Sequence, residues 1–142
     1  MITYKMVDRN EFIARKAEFA ELYSICFNCE MTTSEIEWRY LSNPYCHILA
    51  CFAYDDDKLI ANYSVSPIRL MVDGIEKKAV QSLNTMTHPD YIGRGLFVTL
   101  AKCVYKKAAM NGYIGVFGFP NGVSNRTFIE KLGWKDIELL PM

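Results

Sequence analysis

The sequence lacks a long hydrophobic run and lacks any excess of one charge. Lys and Arg (16 residues) balance Asp and Glu (16 residues), so the formal net charge is zero. Without a basic surplus, the composition favours neither nucleic acid nor a membrane surface as a partner. No apolar run approaches the roughly 18 residues that a spanning helix needs, and residues 1–5 lack the apolar core of a signal peptide. These features predict a cytoplasmic protein.

Cysteine is present in an odd number, five residues, which predicts reduced thiols rather than a disulfide framework. Cys26 and Cys29 have the C-x-x-C spacing of metal and redox sites. No second cysteine pair follows, however, and His47 and His88 do not complete a zinc-like spacing. The surrounding sequence is apolar and helical in pattern, which favours buried structural thiols. We therefore expect no metal.

The remaining composition, 51% apolar and 23% charged, fits one globular domain over residues 1–142. Hydrophobic periodicity predicts an α+β fold with a central mixed sheet of about six strands flanked by helices. The predicted elements are a strand over 3–7, helical runs after start signals at Asp8/Glu11 and Thr32/Glu35, antiparallel strands over 47–54, 59–67, 68–72 and 75–87, a helix over 96–110, a strand over 113–119, a short helix over 125–132 and a last strand over 134–140.

A glycine turn between the 75–87 strand and the 96–110 helix is the most informative segment. Gly93 and Gly95 lie one residue apart, immediately before the helix. At a helix start, the backbone N–H groups and the helix dipole favour an anion. Because glycine has no Cβ, a ligand can approach the backbone closely. The turn predicts a phosphate site, and the parallel pair that follows it predicts a crevice beyond Thr87 and Phe119.

This order of elements, with a Gly-x-Gly turn after the fourth strand, resembles the GNAT superfamily of acetyl-CoA-dependent N-acetyltransferases over essentially the whole chain. The family signature Arg/Gln-x-x-Gly-x-Gly/Ala falls on residues 92–97, where Gly95 matches the central glycine. Ile92 and Phe97 stand where the family has Arg or Gln and a small residue. Residues 88–91 and 130–134 resemble the family's approach to the loop and its helix-to-strand ending.

The resemblance implies acetyl-CoA as co-substrate, held largely by backbone N–H groups. Its pantetheine arm would pair with the fourth strand, and its pyrophosphate would lie on the glycine turn. The backbone N–H of Met86 would stabilise the oxyanion of the tetrahedral intermediate. The cofactor-binding residues implied are Thr85, Met86, Thr87, Ile92, Gly93, Arg94, Gly95, Leu96, Phe97, Val98 and Asn121.

Residues 118–121 and 131–134, together with Ser124 and Trp38, resemble GNAT proteins found with polysaccharide or amino-sugar genes. This resemblance implies a small-molecule amine, such as that of an amino sugar, as acceptor. Acetyl transfer would then proceed by direct attack of the amine on the thioester.

The usual acid–base residues of the family are missing. The position of a carboxylate base falls on or near Gln81, and the position of a tyrosine acid falls on Phe128 or Ile129. Three alternatives stay open at this point: ordered water carries the protons, Tyr63, His88 or Glu37 substitutes, or the domain binds acyl-CoA in a regulatory or degenerate role without turnover. A nucleotide on the glycine turn is a weaker alternative, because no Lys-Ser/Thr follows the glycines.

Family members usually have a seventh strand beside the sixth. The sequence ends at Met142, directly after the predicted sixth strand. An unpaired sheet edge invites pairing with another chain. We therefore expect either a chain shortened at its C-terminus or a partner, such as a homodimer, that covers this edge.

Overall fold

The computed structural model describes residues 1–45 and 47–137 of the 142-residue chain. Its strands form one sheet in the order β1-β2-β3-β4-β6, with β5 paired to β3. Pairing is antiparallel from β1 to β5, whereas β6 runs parallel to β4. The mixed six-stranded sheet confirms the predicted fold class. The strands are Ile2–Val7 (β1), Leu49–Asp55 (β2), Lys58–Val72 (β3), Ile75–Ser82 (β4), Met86–Thr87 (β5) and Val116–Phe117 (β6).

Helices cover both faces of the sheet, and two apolar clusters lie between the layers. One cluster contains Phe12, Phe19 and Tyr40 from the N-terminal helices. The other contains Leu100 and Phe128 from the helices after the glycine turn. The helices are Arg9–Ala14 (α1), Lys16–Phe27 (α2), Thr33–Ile36 (α3) continued by a π-helical turn over Glu37–Leu41, a 3₁₀ turn over Pro89–Tyr91, Leu96–Met110 (α4) and Gly122–Leu132 (α5).

Both predicted helix start signals are present. Asp8 accepts a 2.8 Å hydrogen bond from the Glu11 N–H. Thr32 and Glu35 form a reciprocal capping box, in which the Glu35 carboxylate accepts from the Thr32 N–H at 2.7 Å. The helical run after Asp8 divides at Arg15, whose backbone leaves the α region (φ −101°, ψ 11°).

The strand predictions hold in part. The hairpin turn at Asp73-Gly74 is confirmed, and the two segments predicted before it form one continuous strand, β3. The fourth strand, predicted as continuous over 75–87, breaks after Ser82 and resumes at Met86. Residues 134–137 do not form the predicted last strand, and residues 138–140 lie outside the described residues. No helix in the described part of the chain is long and apolar enough to span a membrane.

Candidate active site

A β-bulge interrupts the fourth strand at the centre of the sheet. Ser82 pairs with Val65, and Met86 pairs with Asn62. The fourth strand therefore uses four residue steps where β3 uses three, which is the mark of one inserted residue. The regular ladder ends beyond Leu83, whose N–H donates to the Ser64 carbonyl at 3.0 Å. Bulges of this kind redirect backbone groups away from the sheet.

Buried side chains hold the bulge in place. Asn62 is fully buried, and its amide donates to the backbone carbonyl of Asn84 at 3.1 Å. The Asn62 side-chain oxygen accepts from the Ser64 hydroxyl at 2.5 Å. The Tyr40 hydroxyl donates to the Asn84 side-chain oxygen at 3.0 Å. Sequence reasoning missed Asn62, although two polar residues inside the apolar run 59–65 were a signal of this network.

Beyond the bulge, the parallel strands separate and a cavity opens between them. β4 and β6 are paired at only two positions, Val80 with Val116 and Gln81 with Phe117. The cavity that follows has a volume of about 500 Å³. It lies at the carboxyl ends of the parallel pair, and of the two residues predicted to border the crevice, Phe119 lines it and Thr87 does not. It is lined by Phe27, Arg39, Gln81, Ser82, Leu83, Asn84, Thr85, Gly118, Phe119, Pro120, Asn121, Ser124, Phe128 and Trp134.

The ladder register fixes which backbone N–H groups face this cavity. His88 donates its N–H to the Ile60 carbonyl at 2.8 Å, and Met86 occupies the equivalent position opposite Asn62. Because hydrogen-bonding direction alternates along a strand, the Met86 N–H faces β3. Its neighbours Thr85 and Thr87 face the open side, and Thr85 lines the cavity. The register therefore disfavours Met86 as an oxyanion donor and favours Thr85.

The glycine turn has the backbone geometry of an anion site. Gly93 (φ 83°) and Gly95 (φ 73°) are both in the left-handed region, where a side chain is strained. Gly95 is the N-cap of α4 and no side chain caps this terminus, so the first-turn N–H groups are free for a ligand. The Arg94 guanidinium lies 4.8 Å from the centre of the Tyr91 ring, which is anchored to Asp55 by a 2.7 Å hydrogen bond.

Tyr63 does not reach the cavity directly. It is fully buried, and its hydroxyl donates to the Ser82 Oγ at 3.0 Å. The Tyr105 hydroxyl lies 2.8 Å from the Tyr63 hydroxyl and accepts a hydrogen bond from the Trp134 indole N–H at 2.9 Å. Burial raises the pKa of the Tyr63 hydroxyl far above its usual value, and the neighbouring Tyr105 adds to the shift. Tyr63 thus keeps its proton, and its hydroxyl is linked to the cavity through the lining residue Ser82.

The structure does not bring His88 and Glu37 to the same cavity. His88 accepts from the Asp90 N–H at 3.3 Å and lies 3.4 Å from the Lys58 amine. It lines a separate cavity of about 200 Å³ beside α2. Glu37 forms an ion pair with Lys16 and is absent from the lining of the larger cavity. Neither residue is placed for proton transfer in the larger cavity.

The described lining of this cavity has no side chain that exchanges protons near neutral pH. Gln81 and Phe128, two positions where the resemblance expected a base or an acid, both line it. Arg39 is its one charged side chain among the described residues, and none of those lining residues is Asp, Glu, His, Lys, Cys or Tyr. The cavity can therefore orient and polarise a ligand, whereas proton transfer there would fall to water.

The cysteine prediction is wrong in one respect. Cys26 is half-buried, and its thiol donates to the Thr87 carbonyl at 3.4 Å. Cys29, expected to be buried, is exposed, because α2 ends at Asn28 in a left-handed conformation. Within residues 1–45 and 47–137, no group of three or more His, Cys, Asp or Glu side chains is arranged to hold a metal ion.

One family model and several solved structures resemble this chain. The family model described as acetyltransferase (GNAT) domain matches residues 13–137. Among solved structures, glucosamine-6-phosphate N-acetyltransferase from Arabidopsis thaliana is 17% identical, with a TM-score of 0.75, over 100% of this chain and 97% of that chain. Aminoglycoside 6'-N-acetyltransferase AAC(6')-Ih from Acinetobacter baumannii is 16% identical, with a TM-score of 0.75, over 100% and 96%.

A third structure, AAC(6')-Iy, was solved with a bisubstrate analogue that joins CoA to monomethyl-acetylneamine. It is 14% identical and has a TM-score of 0.76, over 100% of this chain and 96% of that chain. At these identities the structural likeness shows the fold alone. No curated protein sequence matches the chain. Since the family model spans most of the sequence, the chain belongs to the GNAT acetyltransferase family.

Proposed function

We propose that the protein transfers the acetyl group of acetyl-CoA to the amine of a small molecule. The observation that carries this proposal is the fixed bulge at Asn84, which presents backbone groups to a cavity between two diverging strands. An extended pantetheine arm could add there as a strand, since the Thr85 and Thr87 N–H groups lie on the open side, although the Thr87 carbonyl already accepts from the Cys26 thiol. After β5, the chain passes through the 3₁₀ turn and the glycine turn to the uncapped start of α4, which suits the pyrophosphate.

Thr85 replaces Met86 as the proposed oxyanion donor, because its N–H belongs to the open side of the strand and it lines the cavity. Residues 92–98 are the proposed pyrophosphate site, with Arg94 as a nearby cation. Asn121 lines the cavity, yet its side-chain oxygen accepts from the N–H groups of Val123 (3.1 Å) and Ser124 (2.8 Å). Its backbone carbonyl accepts from the Asn125 N–H at 2.9 Å, so its side-chain amide N–H or its backbone N–H would contact pantetheine.

Direct attack is the chemistry that this cavity supports. The acceptor ammonium would lose its proton to water, and the amine nitrogen would then bond to the thioester carbon. As the carbon–sulfur bond breaks, its electron pair goes to sulfur, the bonded nitrogen loses its second proton to water to give a neutral amide, and the thiolate takes a proton from water. Orientation and a fixed N–H donor supply the rate enhancement, since the described lining holds no general base. We propose that Tyr63 orients the Ser82 hydroxyl and does not exchange protons itself.

An amino-sugar amine is the proposed acceptor, because structural neighbours include a glucosamine-6-phosphate N-acetyltransferase and an aminoglycoside 6'-N-acetyltransferase. The lack of a titratable base or acid in the lining favours one alternative, a domain that binds acyl-CoA without turning it over. A cytoplasmic location and a homodimer that covers the sheet edge stay predictions.

Calorimetry with acetyl-CoA, CoA and ATP tests the cofactor assignment. We expect acetyl-CoA and CoA to bind and ATP to bind at least tenfold more weakly, since ATP lacks the pantetheine arm that would pair with the fourth strand. Absence of heat with both CoA species would overturn the proposal. Release of CoA thiol that depends on an added amine then separates the enzyme from the binding domain.

A further inference from the structure

We infer that the acceptor carries an anionic group, a carboxylate or a phosphate monoester, which pairs with Arg39. The inference rests on the proposed function and specifies the substrate class of the same cavity. It starts from the charge of the described lining, where Arg39 is the single charged side chain. A ligand charge that leaves water for such a cavity needs an opposite charge or it costs free energy. Arg39 supplies that opposite charge only for an anion.

Arg39 is exposed and can reach a ligand, because its expected intrahelical partner is mainly engaged elsewhere. Glu35 lies four residues earlier, the spacing at which Glu and Arg pair on a helix. The Glu35 carboxylate, however, accepts from the Thr32 N–H at 2.7 Å and from the Thr32 hydroxyl at 3.0 Å. These bonds to Thr32 are the main cause of the lowered pKa of Glu35 and hold it in the capping box, and the nearby Arg39 charge lowers it further without forming an ion pair within 4.0 Å.

Other arginines show what a satisfied guanidinium looks like in this protein. Arg15 and Arg126 lie 2.6 Å and 2.8 Å from the carboxylates of Glu18 and Glu130. Among the described residues, no carboxylate lies within 4.0 Å of the Arg39 guanidinium. Its guanidinium donates a long hydrogen bond, 3.4 Å, to the side-chain oxygen of Asn84, and it also interacts with the Tyr23 hydroxyl, where it opposes the rise in the tyrosine pKa. A bidentate anion would satisfy it better.

Arg39 is also close to the proposed reaction centre. Its contact, Asn84, is the bulge residue whose carbonyl Asn62 holds, and Asn84 directly precedes Thr85. An anion bound to Arg39 would therefore lie close to an amine that attacks beside Thr85. One small molecule carrying both groups fits this arrangement.

Polycationic amines should be poor acceptors for the same reason. Each additional ammonium would enter a cavity whose described lining offers no carboxylate, and the Arg39 charge would repel it. We therefore expect the cavity to favour anionic amines over polycationic amines such as spermidine.

The test compares acceptors that differ only in the anionic group, by acetyl-CoA thiol release. The pairs are glucosamine 6-phosphate with glucosamine, and L-phenylalanine with L-phenylalaninamide; spermidine is the polycation. We expect kcat/KM to be about ten- to hundredfold higher for the anionic member of at least one pair. Arg39→Met should abolish that preference by lowering kcat/KM for the anionic member far more than for the neutral member, and Arg39→Lys should restore part of it. Arg69→Met, on the exposed β3–β4 hairpin, is the matched control.

A higher kcat/KM for the neutral members or for spermidine would overturn the inference while leaving N-acetyl transfer intact. An equal loss of kcat/KM for both members of a pair in Arg39→Met would overturn it in the same way. If no amine supports thiol release, the proposed function fails instead. Calorimetry of glucosamine 6-phosphate and of L-phenylalanine with the CoA-loaded protein still decides the role of Arg39. Binding of either that Arg39→Met removes supports it, and no binding of either to the unaltered protein contradicts it.

Discussion

The side-chain amide of Asn62 donates to the backbone carbonyl of Asn84 across the β-bulge, over 3.1 Å. This contact lies at the point where the sheet stops being a regular ladder and the cavity begins. A buried asparagine inside an apolar strand is costly unless it is hydrogen bonded. Asn62 is explained by its hydrogen bond to the Asn84 carbonyl, because the bulge would otherwise leave that carbonyl without a partner.

Replacing this asparagine should destabilise the fold and weaken cofactor binding together. Asn62→Ala leaves the Asn84 carbonyl and the Ser64 hydroxyl without their buried partner, which costs about 1–3 kcal/mol. Urea unfolding measures the loss, and calorimetry measures the affinity for CoA. Asn10→Ala, at an exposed position in α1, should change stability by no more than about 0.5 kcal/mol. Equal effects of the two variants would contradict the role given to the bulge.

Gly95→Ala should weaken CoA binding beyond what backbone strain explains. A Cβ at Gly95 meets no atom of the protein, but φ is 73°, so the variant is strained by about 1–2 kcal/mol. Gly74, in the β3–β4 hairpin, has φ 76° and equally open space, which makes Gly74→Ala a matched control. Both variants should lose similar stability in urea. Only Gly95→Ala should weaken CoA by tenfold or more in calorimetry, and a similar loss in Gly74→Ala would argue against the pyrophosphate site.

Gly118→Ala should narrow the cavity beside Ser82 and Trp134. A Cβ there would lie 3.1 Å from the Ser82 Cβ and 3.2 Å from the Trp134 ring, so these side chains must shift. We expect kcat/KM for acetyl transfer to fall at least about tenfold, equivalent to ~1.4 kcal/mol. Gly115→Ala, where a Cβ meets nothing within 4 Å, should leave it nearly unchanged. An unaffected Gly118→Ala enzyme would show that acetyl transfer does not use this cavity.

Stability should fall at alkaline pH, partly through Cys51. Burial raises the pKa of the Cys51 thiol from 9.0 to about 12, and the neighbouring Cys103 adds to the shift. The folded state therefore binds the proton more tightly than the unfolded state does. The contribution of the Cys51 thiol to the free energy of unfolding is fully present below pH 9 and is lost between pH 9 and about 12.

Over that interval, Cys51→Ala should flatten the decline in the free energy of unfolding by up to ~1.4 kcal/mol per pH unit. Urea titrations at a series of pH values give the slope. Cys29→Ala, at an exposed thiol, should leave the slope unchanged. If Cys51→Ala has the same slope as the unaltered protein, the thiol is not held neutral by burial.

Local patterns predicted most of the fold because the signals are short-range. The capping box of Thr32 and Glu35 and the Asp73-Gly74 turn depend on neighbours in sequence, and both formed as expected. The glycine turn and the helix over 96–110 were predicted with the observed bounds for the same reason.

The candidate site could be predicted less well, because it depends on contacts between distant residues. The bulge is set by the pairing of Asn62 with Met86, and one inserted residue reverses the direction of each backbone N–H beyond it. That reversal moves the proposed oxyanion donor from Met86 to Thr85. The polar character of Tyr63 suggested catalysis, whereas its burial among Ser82 and Tyr105 is a tertiary property.

Amine-dependent conversion of acetyl-CoA is the most direct test that the protein is an N-acetyltransferase. The protein is incubated with acetyl-CoA and an amine, free CoA thiol is titrated, and the N-acetylated amine is quantified by mass spectrometry. We predict one mole of N-acetyl product for each mole of thiol, formed only when protein and amine are both present, and strongly reduced in Gly118→Ala. Tight binding of acetyl-CoA with no N-acetylated product from any amine would contradict this function and would identify a CoA-binding domain without turnover.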